Sequence, residues 1–137
     1  METMTQKDKE LLLKDLCARL PYGVKVESVF INPDTKEYKS CGIEVFDATS
    51  ILMIRDGLGE FKPYLFPLSS MTNEDHATYS KIWEDTGKTA YLEGCHHLIC
   101  TIKAYKAAND YLLSKYYDID GLIPKGLASD ATGKNIY

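Results

Sequence analysis

The chain has 137 residues, with 45% hydrophobic and 26% charged side chains, enough for one domain with a true core and too few for two. That balance excludes an intrinsically disordered chain, and no apolar run reaches the roughly 20 residues of a membrane-spanning helix. A net charge of −4 without any Lys/Arg-rich run speaks against nonspecific nucleic-acid binding, which depends on neutralising phosphates.

Met1 to Asp8 mix acidic, basic and polar side chains, so no export signal is expected. The four cysteines, Cys17, Cys41, Cys95 and Cys100, are therefore expected as reduced thiols of a cytoplasm. Thr5 with Asp8 three residues on predicts a helix N-cap. Leu12, Leu13, Leu16, Cys17 and Leu20 then share one stripe, and Lys7, Lys9, Glu10, Lys14 and Arg19 take the other. This predicts a helix over 5–20, ended by Pro21-Tyr22-Gly23.

From Val24 the period changes to two, and Val24, Val26 and Ser28 alternate with Lys25 and Glu27 in a strand closing at Ile31. Asn32-Pro33-Asp34-Thr35-Lys36 has the chemistry of a turn. Tyr38 to Phe46 predicts a second strand, with Cys41, Ile43 and Val45 on one face and a bulge at Gly42. Ile51 to Arg55 predicts a third, and Asp56-Gly57 a hairpin leading into Phe61 to Phe66. Such short connections imply an antiparallel meander.

Pro63 and Pro67 remove two donors from the next stretch, which reads as an edge strand or rigid loop. Thr72 with Asp75 caps a helix that carries Tyr79, Ile82 and Trp83 and is expected to end near Thr86-Gly87. A second helix runs from about Tyr91 or Cys95 to Tyr116, with Gly94 starting or kinking it. Its expected buried stripe is Leu98, Ile99, Ile102, Tyr105, Asn109, Leu112, Leu113 and Tyr116. Residues 118–137 read as an irregular tail laid over the domain, its last ten residues loosely held. The expected fold is α+β in a single domain, 1–137: an N-terminal helix, a three- to four-stranded antiparallel meander, and two C-terminal helices packed on the sheet.

Three places carry candidate chemistry. Asp85-Thr86-Gly87-Lys88-Thr89 ends like a phosphate-binding P-loop, but the pattern needs a glycine where Ile82 stands, and a helix rather than a strand precedes it. Gly87 is read instead as a helix C-cap, with Lys88 facing the negative end of the dipole. In Cys95-His96-His97-Leu98-Ile99-Cys100, His96 and Cys100 lie one helical turn apart, and a closed zinc site would need two more ligands from elsewhere. The cysteines are read as small core residues and the histidines as surface ones, so neither metal nor cofactor is expected. The third place is the start of the helix after Pro67. Free amides and a positive dipole end suit an anion there. Arg55 and Lys62 supply charge, Ser69, Ser70 and Thr72 supply hydroxyls, and Tyr64 and Trp83 supply rings for stacking. The competing reading of that corner is plain capping by Thr72, with Glu74 repelling an anion.

Three segments taken together, Leu11 to Val24, Lys62 to Thr72 and Asp120 to Ala128, resemble a family of short proteins from phages and prophages of gut Bacteroides-type bacteria. The resemblance implies a bacterial host cytoplasm during infection or lysogeny, and no catalytic residue carries over. By analogy, it implies a non-enzymatic accessory protein that binds a host protein or sequesters an anionic nucleotide signal in antagonism of host defence. The alternatives are a small hydrolase or nuclease using His96 and His97, with or without a metal, and a self-assembling structural protein. Homo-oligomers are compatible with the sequence; nucleic-acid and membrane partners are not expected.

Overall fold

A computed structural model describes residues 5–137; the polar segment Met1–Met4 lies outside the described residues. Helix α1 (Gln6–Ala18) starts where expected, with the Thr5 hydroxyl accepting from the Asp8 amide at 3.1 Å. Strand β1 (Lys25–Ile31) pairs antiparallel with β2 (Tyr38–Val45). Ser28 faces Gly42 and Val29 faces Ser40, so Cys41 is an extra residue and the expected bulge is present. Gly42 meets the bend with a φ of 79°, a left-handed conformation that costs glycine nothing.

Ile51 to Arg55 is not a strand. It lies in helix α2 (Ala48–Arg55), and the reason is at its ends. The Asp47 carboxylate accepts from the Ser50 amide at 3.0 Å while the Ser50 hydroxyl accepts from the Asp47 amide at 3.2 Å, a reciprocal cap. Asp56-Gly57, read as a hairpin, closes the helix instead: Gly57 donates to the Ile54 carbonyl and Leu58 to that of Met53, with Gly57 at φ 70°. Good caps at both ends outweigh the β preference of Ile51 and Ile54.

Strand β3 (Gly59–Leu65) pairs antiparallel with β1, and β4 (Ser129–Asp130) pairs parallel with Tyr64 and Leu65. The sheet order is β2-β1-β3-β4, so the sheet is mixed rather than purely antiparallel. Pro63 sits in β3 before pairing with β4 begins, where that flank has no partner strand to receive a donor.

The core cluster joins Leu12 and Leu16 of α1, Val24 and Val26 at β1, Phe46, Phe61 and Leu65, and Leu122, Leu127 and Ala128 of the tail. Phe46 and Phe61 meet edge to face with centroids 5.6 Å apart. Ile51, Met53 and Ile54 of α2 pack against the cluster. The sheet is thus covered by α1, α2 and the tail, not by the two long helices as the sequence suggested. Tyr137 is also held: its ring stacks on Tyr116 with centroids 3.7 Å apart, and its hydroxyl donates to the Tyr64 carbonyl at 2.7 Å. Strand β2 is exposed along its whole length, so the row Cys41, Ile43 and Val45 is open rather than buried.

Arg19, read as a surface residue, is fully buried. Its Nε and Nη2 donate to the Asp15 carboxylate at 2.7 and 3.1 Å, and Nη2 also donates to the Tyr117 carbonyl at 2.7 Å. Burial pushes the Asp15 carboxyl up to about 6 against the pull of Arg19, with a further push from Asp120. This pair ties α1 to the chain leaving the last helix.

Candidate functional site

Helix α3 (Asn73–Leu92) begins at the expected cap, the Thr72 hydroxyl accepting from the Asp75 amide at 3.1 Å. It does not end at Gly87, which lies inside it; the chain turns at Gly94, with φ 85°. Helix α4 (His97–Ser114) follows at once, with His96 Nδ1 accepting from the Leu98 amide at 3.4 Å as its N-cap.

The seven residues proposed for an anion site take these positions. Arg55 ends α2 and pairs with Asp56 at 3.0 Å, both exposed. Lys62 lies exposed on β3, opposite Glu27 in the register. Tyr64 follows on the same face, its ring 5.8 Å from the Lys134 ammonium. Ser69 and Ser70 occupy a 3-10 turn (Leu68–Ser70), where the Ser70 hydroxyl donates to the Pro67 carbonyl at 2.7 Å. Thr72 caps α3. Trp83 lies eleven residues further along that helix, about 16 Å away at the α-helical rise, and meets Tyr105 edge to face at 6.2 Å. Among the described residues, no hydrogen bond, ion pair or ring contact joins any two of the seven.

The start of α3 is served by a carboxylate of its own. Asp75 accepts from the Tyr111 hydroxyl at 2.8 Å and from that of Tyr117 at 2.6 Å. These two bonds hold the Asp75 carboxyl below the usual range, and burial with the Asp75 contact pushes Tyr117 up to about 12. Glu74 adds a second negative group in the same turn. The dipole end that suits an anion is therefore engaged within the chain, locking α3 to α4 and to the segment that leaves it at Tyr117.

The histidine–cysteine cluster separates. Cys100 is buried, with its thiol 3.5 Å from the Cys95 carbonyl, while His96 and His97 are exposed. Among the described residues no three His, Cys, Asp or Glu side chains converge as a metal site would require. Of the four cysteines read as interior, Cys17 and Cys41 are exposed.

What the sequence reading missed lies between α3 and α4. Their interface is built from small residues: Ala90 on one side, Cys100, Ala104 and Ala108 on the other, all buried. A Cβ placed on Gly87 would stand 3.9 Å from that of Ala104. Small side chains let the helices approach closely, and the large apolar ones are left outside. Leu98, Ile102 and Tyr105, expected in the core, expose 62%, 53% and 59% of their surface, and Tyr91 exposes 73%. The signal was present as a second stripe at helical spacing, Cys100, Ala104 and Ala108, opposite the larger one. Two shallow open grooves of about 250 and 260 Å³ flank the helix pair. One holds Asp85, Thr89 and Lys103; the other holds Trp83, Tyr91, His97 and Thr101.

Comparison with protein-family models, curated proteins and solved structures found no match. No helix of the described residues is long and apolar enough to cross a membrane.

Proposed function

We propose that this is a non-enzymatic accessory protein whose α3–α4 hairpin docks onto another polypeptide. The observation that carries this reading is the open apolar face of Leu98, Ile102 and Tyr105, continued by Trp83 and Tyr91. Folded chains rarely leave so many large apolar groups together in water unless something covers them. In the setting that the family resemblance implies, that polypeptide is a host protein of the bacterial cytoplasm or another copy of the chain. Sequestration of an anionic nucleotide has less support. The grooves are open and about 250–260 Å³, at or below the small end for ligand sites, and the residues chosen for phosphate and base are dispersed.

Site-specific photo-cross-linking in the host bacterium tests the reading. A photoreactive residue replacing Tyr105 gives discrete protein adducts, lost when Ile102→Glu is added, whereas the same group replacing Glu10 on α1 gives none. No adduct at Tyr105, together with a nucleotide released from the denatured protein, would replace docking with sequestration.

A further inference from the structure

We infer that the occupant of this face is a second copy of the chain, so that two α3–α4 hairpins close into a four-helix bundle. The inference rests on the docking reading and names its partner.

The first argument is the continuity of α4 itself. Leu98, Ile102, Tyr105, Asn109 and Leu112–Leu113 recur at helical spacing along one side of the helix. Leu112 and Leu113 are buried within the chain, whereas the preceding two turns carry the same kind of side chain into water. This side of α4 is apolar from Leu98 to Leu113 apart from Asn109, and one chain covers only its C-terminal part.

The second argument is area. Trp83, Tyr91, Leu98, Ile102 and Tyr105 expose from 36% to 73% of their surfaces, which, at roughly 150–250 Å² for each aromatic side chain and less for Leu98 and Ile102, leaves on the order of 500 Å² of largely apolar surface. A stable interface takes about 800 Å² from each partner, and the polar rim of Glu84, Lys88, His97 and Thr101 supplies the remainder.

The third argument is character. The line Leu98, Ile102, Tyr105, Asn109 holds no charged side chain. Transient interfaces are about as polar as the general surface, while permanent homodimers are the more apolar class. A two-fold pair is the commonest permanent assembly of a soluble chain, and antiparallel helix pairs combine readily into four-helix bundles.

Sedimentation equilibrium on the purified chain decides the matter. The wild type is expected at twice the 15.5 kDa chain mass. Ile102→Glu and Tyr105→Glu are expected at the single mass with unchanged circular dichroism, and Leu52→Glu, at an exposed site on α2, remains dimeric. A photo-cross-linker replacing Tyr105 is expected to join chain to chain, a readout independent of how well the glutamate variants fold. A wild-type monomer, or a dimer indifferent to both α4 substitutions, overturns the inference. A monomer whose Tyr105 adducts are to a different protein removes the second copy but keeps the docking reading. A monomer without such adducts removes both.

Discussion

The sheet half of the molecule and its helical hairpin solve the packing problem in opposite ways. Around the sheet, strand β2 apart, large side chains turn inward: Leu16, Phe46, Leu65 and Leu122 are fully or almost fully buried. Between α3 and the first three turns of α4 the inward positions belong to glycine, alanine and cysteine, and large side chains such as Leu98, Ile102 and Tyr105 face outward. The first arrangement draws its stability from apolar area removed within one chain. The second gains close approach of two helices but leaves large apolar side chains exposed on the chain itself. The sheet half should therefore be sensitive to truncation, and the hairpin interface to enlargement.

The largest effect should come from breaking the buried pair beneath the sheet. Arg19→Ala strands the Asp15 carboxylate and frees the Tyr117 carbonyl. Loss of one partner of a buried ion pair costs about 3–5 kcal/mol, to be read from the midpoint of urea unfolding. A loss below about 1 kcal/mol would mean that the pair is solvated and belongs to the surface.

A smaller effect of the same pair appears with pH. The Asp15 carboxyl titrates near 6 in the folded chain and near 3.8 when free, so the native state holds the extra proton between those values. Stability from this group therefore falls as pH rises from about 4 to 6, on the order of 2–3 kcal/mol. Asp75 acts in the other direction: its folded carboxyl lies below the free value, so its contribution is present above that value and is lost as pH falls through the folded one. Asp15→Asn should remove the decline between pH 4 and 6 while preserving the loss in stronger acid. An unchanged profile in the variant would assign the decline to another group.

The legible parts of the fold are those in which local chemistry and tertiary role agree. Helix α1 is announced by Thr5 and Leu12–Leu16, β1 by the alternation from Val24, and the start of α3 by Thr72 with Asp75. Asp47 and Ser50 hide because their reciprocal cap precedes a run, Ile51 to Ile54, whose residue types favour strands. Arg19 hides because its charge suggests solvent, although Leu12, Asp15, Leu16 and Arg19 fall on one face at helical spacing. The parallel pairing of Ser129–Asp130 is nonlocal and leaves no local trace. Helix α4 was the most misleading, since its larger stripe satisfies every sequence rule for a core. Which stripe an adjacent helix takes depends on how near it comes, and Gly87 and Ala90 decide that from another segment.

The two remaining tests are a pair of enlargements in the hairpin interface. Ala104→Leu adds bulk at a position 2% exposed, facing Gly87, and overpacking of that kind costs about 1–3 kcal/mol. Gly87→Ala is smaller and of the opposite sign. Glycine within a helix costs about 0.5–1 kcal/mol relative to alanine. The added methyl would meet Ala104 at 3.9 Å, an ordinary contact distance. Gly87→Ala should therefore raise the thermal midpoint and leave the sedimentation mass at its wild-type value, because the outer face of α4 does not move. A lowered midpoint for Gly87→Ala would mean that the helices lie closer at Gly87 than the 3.9 Å spacing to Ala104, and would overturn this account of the interface.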